Sequence, residues 1–162
     1  MIYAPLIALV FATLVAGPQG AAPDPVAELD AFWAGAASTV AEGDFDGYAA
    51  TYHSDAVLVS LASGTSVPIA SALAGWKSGF DDTKAGKATA GVEFRFTQRL
   101  YSETTAHDTG IFHYWFAPAG GERSDIYVHF EGLLVQKDGA WKLVMEYQKQ
   151  PATAEEWAAA GR

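Results

Sequence analysis

The stretch EGDFDGYAATYHSDAVLVS, Glu42 to Ser60, restricts the fold more than any other part of the chain. It ends one helix, builds a second and enters a strand with almost no spacer. Gly43 can take the left-handed conformation that closes a helix, and Asp44 can cap the next one through its side-chain oxygen. Tyr48 and Tyr52 stand four apart and share one face of a short helix read from Phe45 to His53. Asp55 ends that helix, and Ala56-Val57-Leu58-Val59 reads as a buried strand.

On either side of this segment the hydrophobic period changes once. Before it, Asp24 can cap and Pro25 can start a helix whose Val26, Leu29, Phe32, Trp33, Ala36 and Val40 form one apolar stripe. After it, Leu61 to Pro68 reads as a loop and Ile69 to Phe80 as a third helix. Asp81 to Gly91 reads as a polar loop able to border a pocket mouth. From Val92 the period is two. Val92, Phe94 and Phe96 alternate with Glu93, Arg95 and Thr97, and further strands are read over Ile111–Phe116, Ile126–Gln136 and Trp141–Lys149. Lys137-Asp138-Gly139-Ala140 is the turn of the closing hairpin, and Thr153 with Glu156 makes a capping box for a short terminal helix. Helices followed by a run of antiparallel strands give an α+β order, and residues 23–162 read as a single domain.

A formal net charge of -9 argues against nucleic acid and against anionic membranes as partners, because both reward clustered Lys and Arg. The chain has no Cys, so no disulfide or thiolate chemistry is available. Residues 1–22 carry no charged side chain, and the run Leu6 to Val15 has the length of a signal-peptide core rather than of a membrane span. The expected location is periplasmic or secreted, with no membrane attachment after removal of that segment. No phosphate loop, nucleophile elbow or dinucleotide fingerprint occurs, so no cofactor is expected.

Glu42–Ser60 and the closing hairpin LLVQKDGAWKLV together resemble the nuclear transport factor 2-like superfamily, in its SnoaL-like and ketosteroid-isomerase-like branches. The resemblance implies a cone-shaped, curved antiparallel sheet wrapped around three N-terminal helices, with a cavity inside. It also implies a homodimer through the outer sheet face, for which Ile126, Val128, Phe130 and Leu134 are the expected apolar residues. Ungapped matching puts the three functional positions of the ketosteroid isomerases at Ala36, Ser60 and Leu133, none of which carries the required side chain.

His129 and Glu131 are the sharpest polar feature of the strands. They stand two apart with Tyr127 and therefore share a face. Matching Leu133 to an inward position predicts that this face is concave. The pair then becomes a candidate acid–base couple, as in dehydratase-type relatives. The alternative is that Glu131 pairs with Arg95 or Arg99 and His129 is a wall residue. His113 and Trp115 lie on the neighbouring strand. A His113/His129/Glu131 metal site is conceivable in geometry, but four His without repeated ligand spacing give no metal expectation. Trp33, Tyr48, Tyr52, Trp76, His113, Trp115 and Tyr127 are the candidate ligand contacts, with core packing the alternative for the helix aromatics. The expected function is binding of a small apolar or amphipathic molecule. A cofactor-independent lyase, isomerase or hydrolase using His129 and Glu131 is one alternative, and a dimeric interaction domain without ligand is another.

Overall fold

A computed structural model describes residues 24–161. The segment read as a signal peptide lies outside them. Helix α1 (Pro25–Glu42) is capped by Asp24, whose Oδ1 accepts from the Val26 N–H at 3.0 Å. It ends at Gly43 with φ 68°, the left-handed turn that glycine makes without strain. A Cβ at Gly43 would also lie 2.4 Å from the Lys84 backbone nitrogen, so the turn and the approach of helix α3 select the same residue. Asp44 caps α2 (Phe45–Ala49) by accepting from the Gly47 N–H at 3.1 Å.

The second helix is shorter than the sequence reading. Strand β1 (Tyr52–Ser60) already begins at Tyr52. The region read as a loop contains strand β2 (Thr65–Pro68), paired with β1. Helix α3 (Ile69–Lys84) runs one turn past Phe80, supported by the Lys77–Asp81 ion pair at 2.7 Å on its exposed face. The expected polar loop up to Gly91 is thereby reduced to a short turn before β3 (Ala88–Tyr101). Strands β4 (Thr105–Pro118), β5 (Ser124–Lys137) and β6 (Ala140–Pro151) follow as a meander. Helix α4 (Ala154–Ala159) closes the chain with the expected Thr153–Glu156 capping box.

The six strands lie in the order β2-β1-β6-β5-β4-β3 in one open, curved sheet. All neighbours are antiparallel except β1 and β6, which run parallel, and α3 crosses from β2 at one edge to β3 at the other. The fold is therefore α+β with a cone-shaped sheet. Two helices precede the sheet, and the third is inserted after its first hairpin.

Helix α1 lies across the concave face. Its Leu29, Trp33, Ala36 and Val40 are buried. Trp33 packs edge-on to Phe130 at 5.6 Å and tilts against Phe94 at 4.6 Å. Its indole N–H donates to Asp108 Oδ2 at 2.7 Å. Asp108 is fully buried and also accepts from Arg99, which reaches Asp30 of α1 as well.

Four breaks in register, one of them between Val128 and Phe130 of β5, bend the strands and re-aim side chains. Phe96 pairs with Gly110 but Gln98 pairs with Thr109, so Thr97 is an extra residue on β3. That shift carries Arg99 to the inner face beside Asp108. Leu133 pairs with Met145 but Leu134 pairs with Leu143, so Val144 is an extra residue on β6. A matching break in β1 falls between Tyr52 and Val57.

Candidate functional site

The cone encloses a cavity of about 520 Å³ between α1, α3 and the concave face of the sheet. Phe94, Phe112, Phe116 and Phe130 contribute apolar wall from the sheet side, Trp33 from α1, and Trp76 and Phe80 from α3. Gly75, Ser78 and the half-exposed Ile126 mark its mouth. Gly75 and Gly79 stand one turn apart on α3, and a Cβ at either would meet nothing within 4 Å. These two glycines keep the α3 side of the mouth open.

One polar chain interrupts this wall. Tyr52, at the start of β1, donates to Glu146 Oε2 at 2.5 Å, and its hydroxyl lies 3.1 Å from that of Tyr48. Gln148 Nε2 donates to Glu146 Oε1 at 2.8 Å. Glu146 is buried, with a relative exposure of 8%, and all its partners are neutral. Loss of hydration is the largest influence on it and raises its carboxyl above the ordinary value, against the lowering effect of the two donors. Burial and the nearby Glu146 together raise the Tyr48 and Tyr52 phenols, so both stay protonated. Tyr114, on the same wall, is also raised by burial, and its hydroxyl makes no hydrogen bond to a described residue.

Glu146 reaches the cavity because of the extra residue at Val144. Trp141 and Leu143 point inward. Strict alternation from them would send Glu146 outward, whereas the bulge resets the alternation so that Glu146 and Gln148 face in. Only an apolar strand carrying a single carboxylate, LVMEYQ, marks this in the sequence, and its period points the wrong way. Tyr114, Phe112 and Gln148 were likewise not among the expected contacts.

Trp33, Tyr48, Tyr52 and Trp76 do line the cavity. The expected concave placement of His129 and Glu131 is not what the structure shows. Phe130 and Leu134 are buried under α1, so alternation turns Tyr127, His129, Glu131 and Leu133 to the outer face. Leu133 is 38% exposed, and the inward residue beside it is Gly132, on which the Trp33 ring rests. His129 and Glu131 do not meet. His129 Nε2 lies 3.3 Å from Glu156 Oε1 of α4. Glu131 accepts from Lys149 at 2.8 Å and lies 3.2 Å from His107 Nε2. Lys149 is the largest influence lowering the Glu131 carboxyl. Neither arginine proposed for Glu131 reaches it, since Arg95 stacks over Trp157 at 4.2 Å and Arg99 is held by Asp108.

His113, Trp115 and Tyr127 also face outward. His113 stacks on Tyr127 at 4.3 Å, lies under Trp157 of α4 and has Nε2 2.7 Å from Asp125. The three groups of the conceivable metal site therefore turn to three different partners. The face expected to dimerise is also displaced: Phe130 and Leu134 are core, and Ile126 lines the cavity.

The SnoaL-like domain family matches residues 29–148, from the first buried leucine of α1 to the second donor on Glu146. The chain belongs to the SnoaL-like family. Among solved structures, this SnoaL-like domain is similar to an NTF-2 like protein of unknown function from Shewanella oneidensis. They share 18% identity over 78% of this chain and 100% of the other, with a TM-score of 0.60. A ketosteroid isomerase-like protein from Erwinia carotovora atroseptica shares 15% identity over 78% of this chain and 95% of the other, at a TM-score of 0.58. A putative calcium/calmodulin dependent protein kinase II association domain from Xanthomonas campestris shares 20% identity over 86% and 94%, at 0.56. No curated protein matches the sequence. The three likenesses establish the nuclear transport factor 2-like fold. Their differing descriptions leave function to the site itself. At the ketosteroid-isomerase positions this SnoaL-like domain presents Ala36 to the cavity and Leu133 to the outside, and Ser60 is half-buried at the far end of β1.

Proposed function

We propose that this SnoaL-like domain binds an apolar or amphipathic small molecule inside the cone, with the ligand's polar group against Glu146. The observation that carries the reading is a cavity of about 520 Å³ with an aromatic wall and one polar chain. That is the usual make-up of a small-molecule site, in which apolar area supplies affinity and a few polar groups fix orientation. Trp33 and Trp76 line the cavity, so a ligand should change tryptophan emission. Native mass spectrometry of the purified protein, followed by fluorescence titration with any molecule released, tests the reading. Saturable quenching that is lost in Trp76→Phe supports it. Saturable binding that survives when the cavity is filled would reject it.

A second reading shares the site. The Glu146–Tyr52–Tyr48 chain holds a buried carboxyl close to two phenols, the arrangement needed to move a proton to or from a bound substrate. A lyase or isomerase of this kind would use Glu146, not His129 and Glu131. Turnover retained in Glu146→Gln would exclude it. Export through the amino-terminal segment belongs to the same proposal and is tested by sequencing the amino terminus of protein recovered outside the cytoplasm.

A further inference from the structure

The molecule buries two carboxylates against its concave face, and they are treated differently. Asp108 is fully buried and receives Arg99 at 3.0 Å in addition to the Trp33 indole. Its charge is matched from within the chain. Glu146 is buried almost as deeply, but its donors are a phenol and an amide, and it borders open space. No Lys, Arg or His lines the cavity among the described residues. A carboxylate in a water-poor site without a counter-charge is held at a cost, which an incoming cation would relieve.

The rest of the wall suits a cation as well. Tyr48 stands at the centre of an aromatic group, with Tyr52 at 5.6 Å and 70°, Trp76 at 6.2 Å and 65°, and Phe80 at 5.2 Å. Rings set at steep angles present faces as well as edges, and the face of an aromatic ring attracts an ammonium ion. Tyr114 adds a hydroxyl with no partner among the described residues. The net charge of -9 raises the local concentration of cations and lowers that of anions. An anionic ligand would meet Glu146 with nothing to compensate it.

We infer that the ligand is a hydrophobic amine: an aromatic or polycyclic body lying along the Phe94–Phe112–Phe130 wall, with one protonated nitrogen between Glu146 and the Tyr48–Trp76 rings. The inference rests on the cavity reading above and narrows it to one chemical class. Burial already raises the Glu146 carboxyl, and an ammonium beside it supplies the charge that favours ionisation.

Three probes of nearly one shape separate the class from the cavity itself. They are 1-naphthylmethylamine, 1-naphthylmethanol and 1-naphthoate, titrated into the intact protein at pH 7.5 by calorimetry and tryptophan fluorescence. The amine should bind about tenfold or more tighter than the alcohol, and the carboxylate should bind weakest. In Glu146→Gln, which keeps the shape but turns one of the two acceptor oxygens into an amide donor, the amine-to-alcohol ratio should fall toward one. Amine and alcohol binding alike to the wild-type protein would overturn the amine inference and leave the cavity reading standing. Failure of all three to bind would overturn both. The wild-type comparison is independent of how the variant folds.

Discussion

Glu146 on the concave face of the sheet and the acidic groups on its convex face are in opposite electrostatic states. On the concave face Glu146 has only neutral donors, and burial raises its carboxyl. On the convex face Glu131 has Lys149 and His107, Asp125 has Arg123 and His113, and both carboxyls are lowered by those partners. The outer groups are satisfied by the chain and stay in contact with solvent. Glu146 has no counter-charge among the described residues that line the cavity. A His and a Glu that look catalytic in the sequence are thus surface pairs, whereas an unremarked glutamate in the last strand sits in the cavity.

The largest expected effect comes from Phe130 and Leu133, three residues apart on β5 but on opposite faces. Phe130→Ala should lower stability by about 3–5 kcal/mol in urea denaturation, because it empties a site walled by Trp33, Phe94 and Phe112. Leu133→Ala should cost about 1 kcal/mol or less, since Leu133 faces out. Equal costs would mean the assignment of faces is wrong.

The two buried carboxylates give the next contrast. Arg99→Met strands the Asp108 charge and should cost about 3–5 kcal/mol. Glu146→Gln removes a charge held without a counter-ion and should be neutral or stabilising at pH 8. The sign follows from linkage. A carboxyl raised in the folded state binds its proton more tightly there than in the unfolded chain. Its contribution is present below the unfolded value and is lost as pH rises through the folded one. Thermal melts of Glu146→Gln should therefore fall less between pH 5 and pH 8 than those of the wild type. A steeper fall would contradict the environment assigned to Glu146.

Smaller effects are expected at the mouth and on the outside. Gly79→Leu should raise stability by up to about 1 kcal/mol, since leucine is the better helix former and its Cβ meets nothing. His129→Ala and Glu131→Ala should each stay within about 1 kcal/mol of the wild type in the same denaturation assay, as partly exposed ion pairs do.

Much of the frame was legible. The α1 stripe, the Gly43-Asp44 junction and the Thr153–Glu156 cap depend on local chemistry, and each forms as its residues dictate. The resemblance carried in Glu42–Ser60 and the closing hairpin pointed to the right fold. Trp33, Tyr48, Tyr52 and Trp76 of the candidate site were legible, but the residues that the rest of the sheet turns into the cavity were not, because they depend on which way alternate side chains point. Period two identifies two faces of β5 without saying which is concave, and both are largely apolar. Burial of Phe130 under Trp33, with Leu134 in the same core, decides it, and the Trp33 contact is made with α1, far away in sequence. The extra residues at Thr97 and Val144 then turn Arg99 and Glu146 inward against the local period. Nothing in either strand marks a bulge. The extension of α3 was hidden for a different reason: its last turn is polar, and it is held by the Lys77–Asp81 pair and by the Thr83 hydroxyl donating to the Gly79 carbonyl at 2.9 Å.

The central claim, that the working site is the inner cavity and not the outer His129–Glu131 face, has a direct test. The dissociation constant of 1-naphthylmethanol is measured by tryptophan fluorescence for the wild type, Gly79→Leu and the double variant His129→Ala/Glu131→Ala. Gly79→Leu puts a side chain into the mouth of the cavity, with open space around its Cβ, and should weaken binding by about tenfold or more, while the double variant stays within about twofold. Unchanged binding in Gly79→Leu, with loss in the double variant, would move the site to the outer face and contradict the account.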